Sequence, residues 1–432
     1  MHRRSAVIAL VVWAALVVGS VLLVQRLRWL GRAVKLDAPP LHATPDVRVT
    51  GYLLVAVVIG GALVWWLPTA ARRLSWPTLL VVGAGSAGLL AVVLATVHHG
   101  PHGLVEPLLG RYEYLEQVPA VRAPGPFLDG FADAVRAREY SVHVHGHPPL
   151  FLLVLWGLDR IGLGGADPAA VLVIAVGTLV VPATLVAARE VVSEDFARRA
   201  LPFVVIAPAW VWVATSADAF FAGVSAVAVA CVVIATGRRD RSGDAAAVAG
   251  GLLFGVSAFL SYGLPLVALV PTAVAVARRR VRPLLLAAIG AACVVAGFLA
   301  AGFWWLDGLA ATRERYFAGV ATIRGYPTFV VANLGILAIA LGPALAVGLA
   351  RLGDRRADRR AWVLVGGALL AVAVADLTGM SRGEVERIWL PFMPWILLAG
   401  AALATTRREA RRWLTLQLAT ALVIEVVVRT AW

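Results

Sequence analysis

Apolar residues fill long unbroken runs of this chain, and polar residues gather in the connections between them. The runs lie at 5–24, 49–68, 79–97, 148–164, 168–187, 200–215, 217–236, 245–261, 264–277, 283–303, 330–350, 361–377, 388–404 and 413–430. A helix of about 20 apolar residues spans the roughly 30 Å hydrocarbon layer of a bilayer. Backbone groups in lipid must pair within their own segment, and the runs lack the alternation of barrel strands, so each predicts a helix. The expected fold class is all-α, a polytopic transmembrane helical protein with about 13–14 membrane segments. Three regions follow: N-terminal transmembrane helices over 1–97, an external loop with an amphipathic surface helix over 98–147, and a transmembrane core over 148–432. No separate soluble domain is expected.

Arginine sets the expected orientation. Arg72-Arg73, Arg198-Arg199, Arg238-Arg239, Arg278-Arg279-Arg280, Arg355-Arg356 with Arg359-Arg360, and Arg407-Arg408 with Arg411-Arg412 all sit between runs. Such clusters mark cytoplasmic connections. Counting crossings from them puts 98–147, 215–218, 261–263, 304–329 and 377–387 on the opposite face. Two features resist this scheme. The connection 25–48 belongs outside yet carries Arg26, Arg28, Arg32, Lys35 and Arg48. The runs 148–164 and 168–187 look like two crossings where the flanking charges require an odd number. The short first run contains Asp159-Arg160 and is read as not crossing fully.

Composition supports a membrane protein and removes some alternatives. Hydrophobic residues make up 60% of the 432, charged residues 15%, and mean hydropathy is +0.84. The net charge of +14 is almost all arginine, since Lys35 is the only lysine, and it is dispersed among the connections. A nucleic-acid binder gathers its charge into one patch, so nucleic acid is not an expected partner. Cys231 and Cys293 lie inside apolar runs, with neither metal spacing nor a disulfide framework. The first run follows His2-Arg3-Arg4 and lacks a small-residue cleavage pattern before Gln25, so it is read as a retained helix. No convincing internal repeat is present.

Polar chemistry concentrates in the expected external segments. The loop 98–147 opens with His98-His99-Gly100-Pro101-His102, continues with Arg111-Tyr112-Glu113-Tyr114-Leu115-Glu116, and ends with His143-Val144-His145-Gly146-His147. Between them, Phe127, Leu128, Phe131, Ala134 and Val135 recur at helical spacing over 126–139, which predicts a helix lying on the membrane surface. Histidines at alternate positions point one way on an extended chain, which could suit a metal. The preferred reading is polar side chains on a flexible loop, with no metal ligand assigned. Breaks at Ser261-Tyr262-Gly263, and at Pro208 with Thr215-Ser216, suit helices lining a cavity. Arg313, Arg315, Arg324, Arg382 and Arg387 are external arginines that oppose the orientation rule, so something must hold them there.

The loop closing on His147-Pro148-Pro149-Leu150, followed by Phe151-Leu152-Leu153, resembles the GT-C superfamily of membrane glycosyltransferases. The likeness is to its protein-mannosyltransferase and aminoarabinose-transferase branches. Ser216-Ala217-Asp218, after Pro208, resembles their later acidic site, and the likeness runs over roughly 98–400. The chain departs from the pattern in three ways. The loop follows the third helix instead of the first, Arg-Tyr-Glu-Tyr replaces a paired acidic motif, and no large C-terminal soluble domain is expected.

The resemblance implies transfer of a sugar from a polyprenyl-phosphate donor to an acceptor hydroxyl, with inversion, on the extracytoplasmic face. Such a reaction needs a base for the acceptor and cations for the departing phosphate. Glu113 is the first candidate base, with Glu116 as alternate and Asp218 as the second acidic site. His145, His147, Tyr262, Arg313, Arg324, Arg382, Glu386 and Arg387 are the candidate substrate-binding residues. No cofactor is required by these residues; a divalent cation is left open. Expected partners are a polyprenyl-phosphate-linked sugar, membrane lipid, and a cell-envelope glycan, lipid or protein acceptor. The Arg, Ala and Val bias suits a GC-rich bacterial genome, and the expected location is the bacterial plasma membrane with the site on its extracytoplasmic side. A transporter or flippase for a lipid-linked or anionic substrate, and a structural assembly protein, are the competing classes.

Overall fold

The computed structural model describes residues 2–430 apart from Thr215 and 355–357. The chain is an all-α, multi-pass membrane protein. Among the described residues seven helices are long and apolar enough to cross a membrane, or eight if the bent pair Tyr326–Leu341 and Pro343–Gly353 counts as one span. Most of the remaining expected segments are present as shorter or broken elements, while 413–430 lies largely in the continuous helix Arg407–Val427. Within 200–215, the chain forms the end of the helix Glu194–Val205 and a 3-10 turn at Pro208–Trp212. Residues 264–277 become a 3-10 turn and the helix Leu269–Ala277, and 388–404 include the short helix Met393–Leu397. Pro208, Pro265, Pro343 and Pro394 remove backbone donors at or near these breaks, so continuous helix is not available there.

The sharpest break has an internal partner. The chain turns by 94° between Leu341 and Pro343, with Gly342 at φ +80°. Gln417, buried on the helix Arg407–Val427, accepts from Ala344 N at 3.1 Å and donates to Leu341 O at 2.7 Å. One amide thus satisfies two backbone groups beside the break. Elsewhere small residues bring helices together. A Cβ on Gly251 would overlap the Ala287 backbone, so glycine is what lets Arg241–Leu260 and Arg282–Ala300 pack this closely.

The arginine clusters share one end of the bundle. Arg198 donates to Ala71 O and Leu74 O, Arg199 pairs with Asp358 at 3.0 Å, Arg278 pairs with Glu190 at 3.3 Å, and Arg280 donates to Arg238 O. Arg355, Arg356 and Thr215 lie outside the described residues. The span Trp76–Leu104 starts beside Arg72-Arg73 and runs into the loop 98–147, which therefore sits at the opposite end. The connection 25–48 is at that end too, and its Val34 O and Lys35 O accept from Arg324. Three-residue strands Ala43–Pro45 and Val428–Thr430 pair antiparallel there, a ribbon that periodicity does not predict.

Two segments show what periodicity leaves open. The surface helix is two short helices, Pro124–Asp129 and Phe131–Ala137, and its apolar side packs on protein instead of lipid. Phe131 meets Phe303 edge-on at 5.6 Å, and Arg136 pairs with Asp307. The segment 148–164 forms only the 11-residue helix Leu150–Arg160. At about 1.5 Å per residue it is too short to cross, and the span Ala166–Val191 makes the crossing.

Candidate active site

Glu113 is fixed by two stretches of loop that lace together. Its N–H donates to Gly110 O at 2.8 Å, Ser141 Oγ donates to its carbonyl at 3.2 Å, and His143 N donates to Tyr112 O at 3.1 Å. This brings Glu113 Oε1 to 2.6 Å from His143 Nδ1. His143 Nε2 lies 3.3 Å from Arg387 Nη2, and Arg387 Nη1 donates to Asp218 Oδ2 at 2.5 Å. Glu384 Oε2 lies 3.5 Å from Arg387 Nη2. Glu113, His143, Arg387 and Asp218 therefore form one continuous, largely buried polar array.

Local structure explains each placement. Asp218 sits in the first turn of the helix Ala217–Gly237, capped by Ser216, where the helix dipole favours a negative charge. Arg387 projects from the four-residue helix Val385–Ile388. Before it the backbone is left-handed at Gly383 (φ +86°) and at Glu384 (φ +63°). A non-glycine residue in that region is uncommon, and such residues collect at functional sites. Arg324 over-determines the turn by donating to Val34 O, Lys35 O, Arg382 O and Glu384 Oε1.

The array sets three carboxylates, Glu113, Asp218 and Glu384, against the guanidiniums of Arg324 and Arg387. Burial opposes the charge on Arg387, but Asp218, Glu384 and Glu113 outweigh it and raise its pKa. Burial likewise opposes the Glu384 charge, yet Arg324, His42 and Arg387 hold its pKa down at about 2. Burial pushes Glu386 up to about 7; its Oε1 accepts from His42 N at 3.0 Å while Oε2 has no hydrogen-bond partner. His147 is lowered to about 4, chiefly by burial, and its Nδ1 lies 2.8 Å from His143 O.

A cavity of about 500 Å³ lies next to Glu384, whose Oε1 is 4.0 Å from Nδ1 of the lining residue His42, although Glu113, His143, Arg387 and Asp218 do not themselves line it. His42, His98, His99, Glu106, Gly110 and Glu425 are among its lining residues. His42 links it to Glu386, and Gly110 links it to the Glu113 backbone. A second space of about 30 Å³ touches Asp218, Phe221, Ser261 and Trp389.

The other candidates separate by position. Glu116 is exposed in the 3-10 turn Leu115–Ala120, whereas Glu113 is mostly buried against His143. The alternating histidines diverge because Val142–His145 is helical, not extended. His145 lies beside Thr312, which donates to its carbonyl. Tyr262 packs on Trp305 at 5.4 Å. Arg313 is exposed over Phe317. Arg382 donates to Gly379 O, Ala321 O and Arg324 O. Protein carbonyls thus hold Arg324 and Arg382, which shape the turn that carries Arg387. His143 and His42 belong to the constellation although the sequence pattern does not select them. Alternate spacing marks His143 but cannot separate it from its neighbours.

Among the described residues no three His, Cys, Asp or Glu side chains gather as a metal site. The donor set also does not suit a divalent cation at the array, because Arg387 already stands between Asp218 and Glu384 and would repel it.

No family model and no curated protein matches the chain. Among solved structures it is similar to ArnT from Cupriavidus metallidurans bound to undecaprenyl phosphate, at 17% identity and TM-score 0.44 over 77% of this chain and 60% of that one. The apo structure of the same protein gives 18% identity and TM-score 0.44 over the same shares. The Archaeoglobus fulgidus oligosaccharyltransferase in complex with Zn and sulfate gives 13% identity and TM-score 0.38, over 80% of this chain and 53% of that one. The chain therefore spans 60% or less of the length of these structures.

Proposed function

We propose that the protein is a membrane glycosyltransferase that moves a sugar from a polyprenyl-phosphate donor to an acceptor hydroxyl on the extracytoplasmic face. The observation that carries this reading is the array Glu113–His143–Arg387–Asp218, placed at the end of the bundle opposite the arginine clusters and beside a polar cavity. The donor class follows from the motif resemblance of His147-Pro148-Pro149-Leu150 and Ser216-Ala217-Asp218.

In this reading Glu113 takes the proton of the acceptor hydroxyl as its oxygen bonds to the anomeric carbon. The bond from that carbon to the phosphate oxygen breaks, and Arg387 stabilises the departing phosphate. Positioned acid–base groups of this kind contribute about 10²–10⁴-fold in rate. Asp218 and Glu384 orient the guanidinium, and their charge keeps it protonated. His143, donating from Nδ1, holds the Glu113 carboxylate in place. Attack from the face opposite the phosphate gives inversion. The cavity lined by His42, His98 and His99 offers both donors and acceptors, which suits a hydroxyl-rich acceptor.

The test is release of polyprenyl phosphate and labelled product by the purified chain in lipid vesicles supplied with labelled polyprenyl-phosphate sugars. Glu113→Gln should abolish turnover while donor binding persists. Transbilayer movement of intact donor without bond cleavage would point instead to a flippase.

A further inference from the structure

We propose that the groove between the helices Gly51–Arg73 and Arg407–Val427, at the arginine-rich end, binds one anionic diacyl phospholipid. This does not depend on the glycosyl-transfer reading and concerns the opposite end of the molecule.

The groove encloses about 850 Å³ and has two chemically different parts. Along its length it is apolar, lined by Val57 and Val64 from one helix and Leu418 and Leu422 from the other. At its head stand Arg408, Arg411 and Arg412. Two adjacent glycines divide the labour. A Cβ on Gly60 would strike Leu418 at 2.6 Å, so Gly60 lets the helices close. A Cβ on Gly61 would meet nothing within 4 Å, so the trough beside it is open to an acyl chain.

The head of the groove is cationic, and a neutral residue, Trp65, holds one of its arginines. The Arg411 guanidinium lies 3.6 Å from the Trp65 ring centre and donates to Trp65 O at 2.8 Å. Glu409, the carboxylate in the first turn of the same helix, is engaged by Arg351 and Thr405. Arg408 and Arg412 are exposed and form no ion pair among the described residues. Fixed positive charge above an apolar trough matches an anionic headgroup above its acyl chains. A zwitterionic lipid would bring its own cation to the three arginines, and a free phosphate would leave the trough unfilled.

Trp65 lines the groove and serves as the reporter. The full-length chain is placed in phosphatidylcholine vesicles containing a small fraction of phosphatidylglycerol with brominated acyl chains. Tryptophan quenching is compared with that from brominated phosphatidylcholine at the same fraction, and Trp65→Phe isolates the Trp65 signal. Quenching of Trp65 should saturate at low phosphatidylglycerol, with a preference of about a hundredfold over phosphatidylcholine. Arg408→Gln and Arg412→Gln should each lower the preference about fivefold. Gly61→Leu, which fills the trough and leaves the arginines in place, should abolish saturable quenching. Circular dichroism checks that the variants remain helical. Equal quenching by the two lipids, or a preference unchanged in Arg408→Gln and Arg412→Gln or in Gly61→Leu, overturns the proposal.

Discussion

His143 Nε2 lies 3.3 Å from Nη2 of Arg387. A guanidinium can only donate, so Nε2 is the acceptor and the imidazole proton sits on Nδ1, facing Glu113. The histidine is therefore a bridge whose tautomer is set by the arginine on one side and the carboxylate on the other.

Replacing His143 should separate this bridge from simple packing. His143→Phe should lower turnover by about tenfold or more, because it removes the donor to Glu113 and the acceptor for Arg387 together. His143→Gln, with an amide that can both donate and accept, should recover part of that loss. Rates from the polyprenyl-phosphate transfer assay decide it, and equal rates for the two variants would show that the bridge is not used.

Arg387 and Asp218 should be strongly coupled. Arg387→Gln leaves Asp218 and Glu384 without their shared cation, and removing one partner of a buried pair costs about 3–5 kcal/mol. Adding Asp218→Asn should restore part of the loss. Thermal unfolding of the two single variants and the double variant gives the coupling energy, and simple additivity would contradict the pairing.

Gln417→Leu should destabilise the bundle without altering the site directly. It strips Ala344 N and Leu341 O of their partner in a buried break. Unsatisfied buried groups cost about 1–3 kcal/mol each. A lowered midpoint of thermal unfolding is expected, and an unchanged midpoint would show that the two bonds do not support the break.

Two neighbouring carboxyls should give opposite pH signatures. Glu384 has its folded pKa depressed from 4.5 to about 2, so its contribution is present above pH 4.5 and is lost as pH falls toward 2. Glu386 is raised from 4.5 to about 7, so it is favourable while protonated and stability declines as pH rises from 4.5 to 7. Glu386→Gln should flatten the unfolding profile across that second window and leave the acid limb. An unchanged slope there would place the titration on another group.

Much of the architecture is legible in the order of residues along the chain. Apolar runs specify membrane helices because lipid offers the backbone no alternative partner, and arginine position separates the two ends. Asp218 and Arg387 both stand out as polar groups near membrane mouths. Nothing in the chain order pairs them, because they are 169 positions apart and meet only when two helix ends are packed together. The same limit applies to Arg324, whose donors turn inward to the carbonyls of Val34 and Lys35, and to Glu116, which stays exposed while Glu113 is mostly buried. Periodicity also gives 126–139 an apolar face without saying whether lipid or protein covers it.

The dividing line is the range of the physics involved. Which segments bury, and which end carries the arginines, depends on the transfer of side chains between water and lipid, a local property that each stretch of residues carries with it. Which carboxylate meets which cation depends on distances of a few ångströms, and only the packing of helices far apart in the chain can set those.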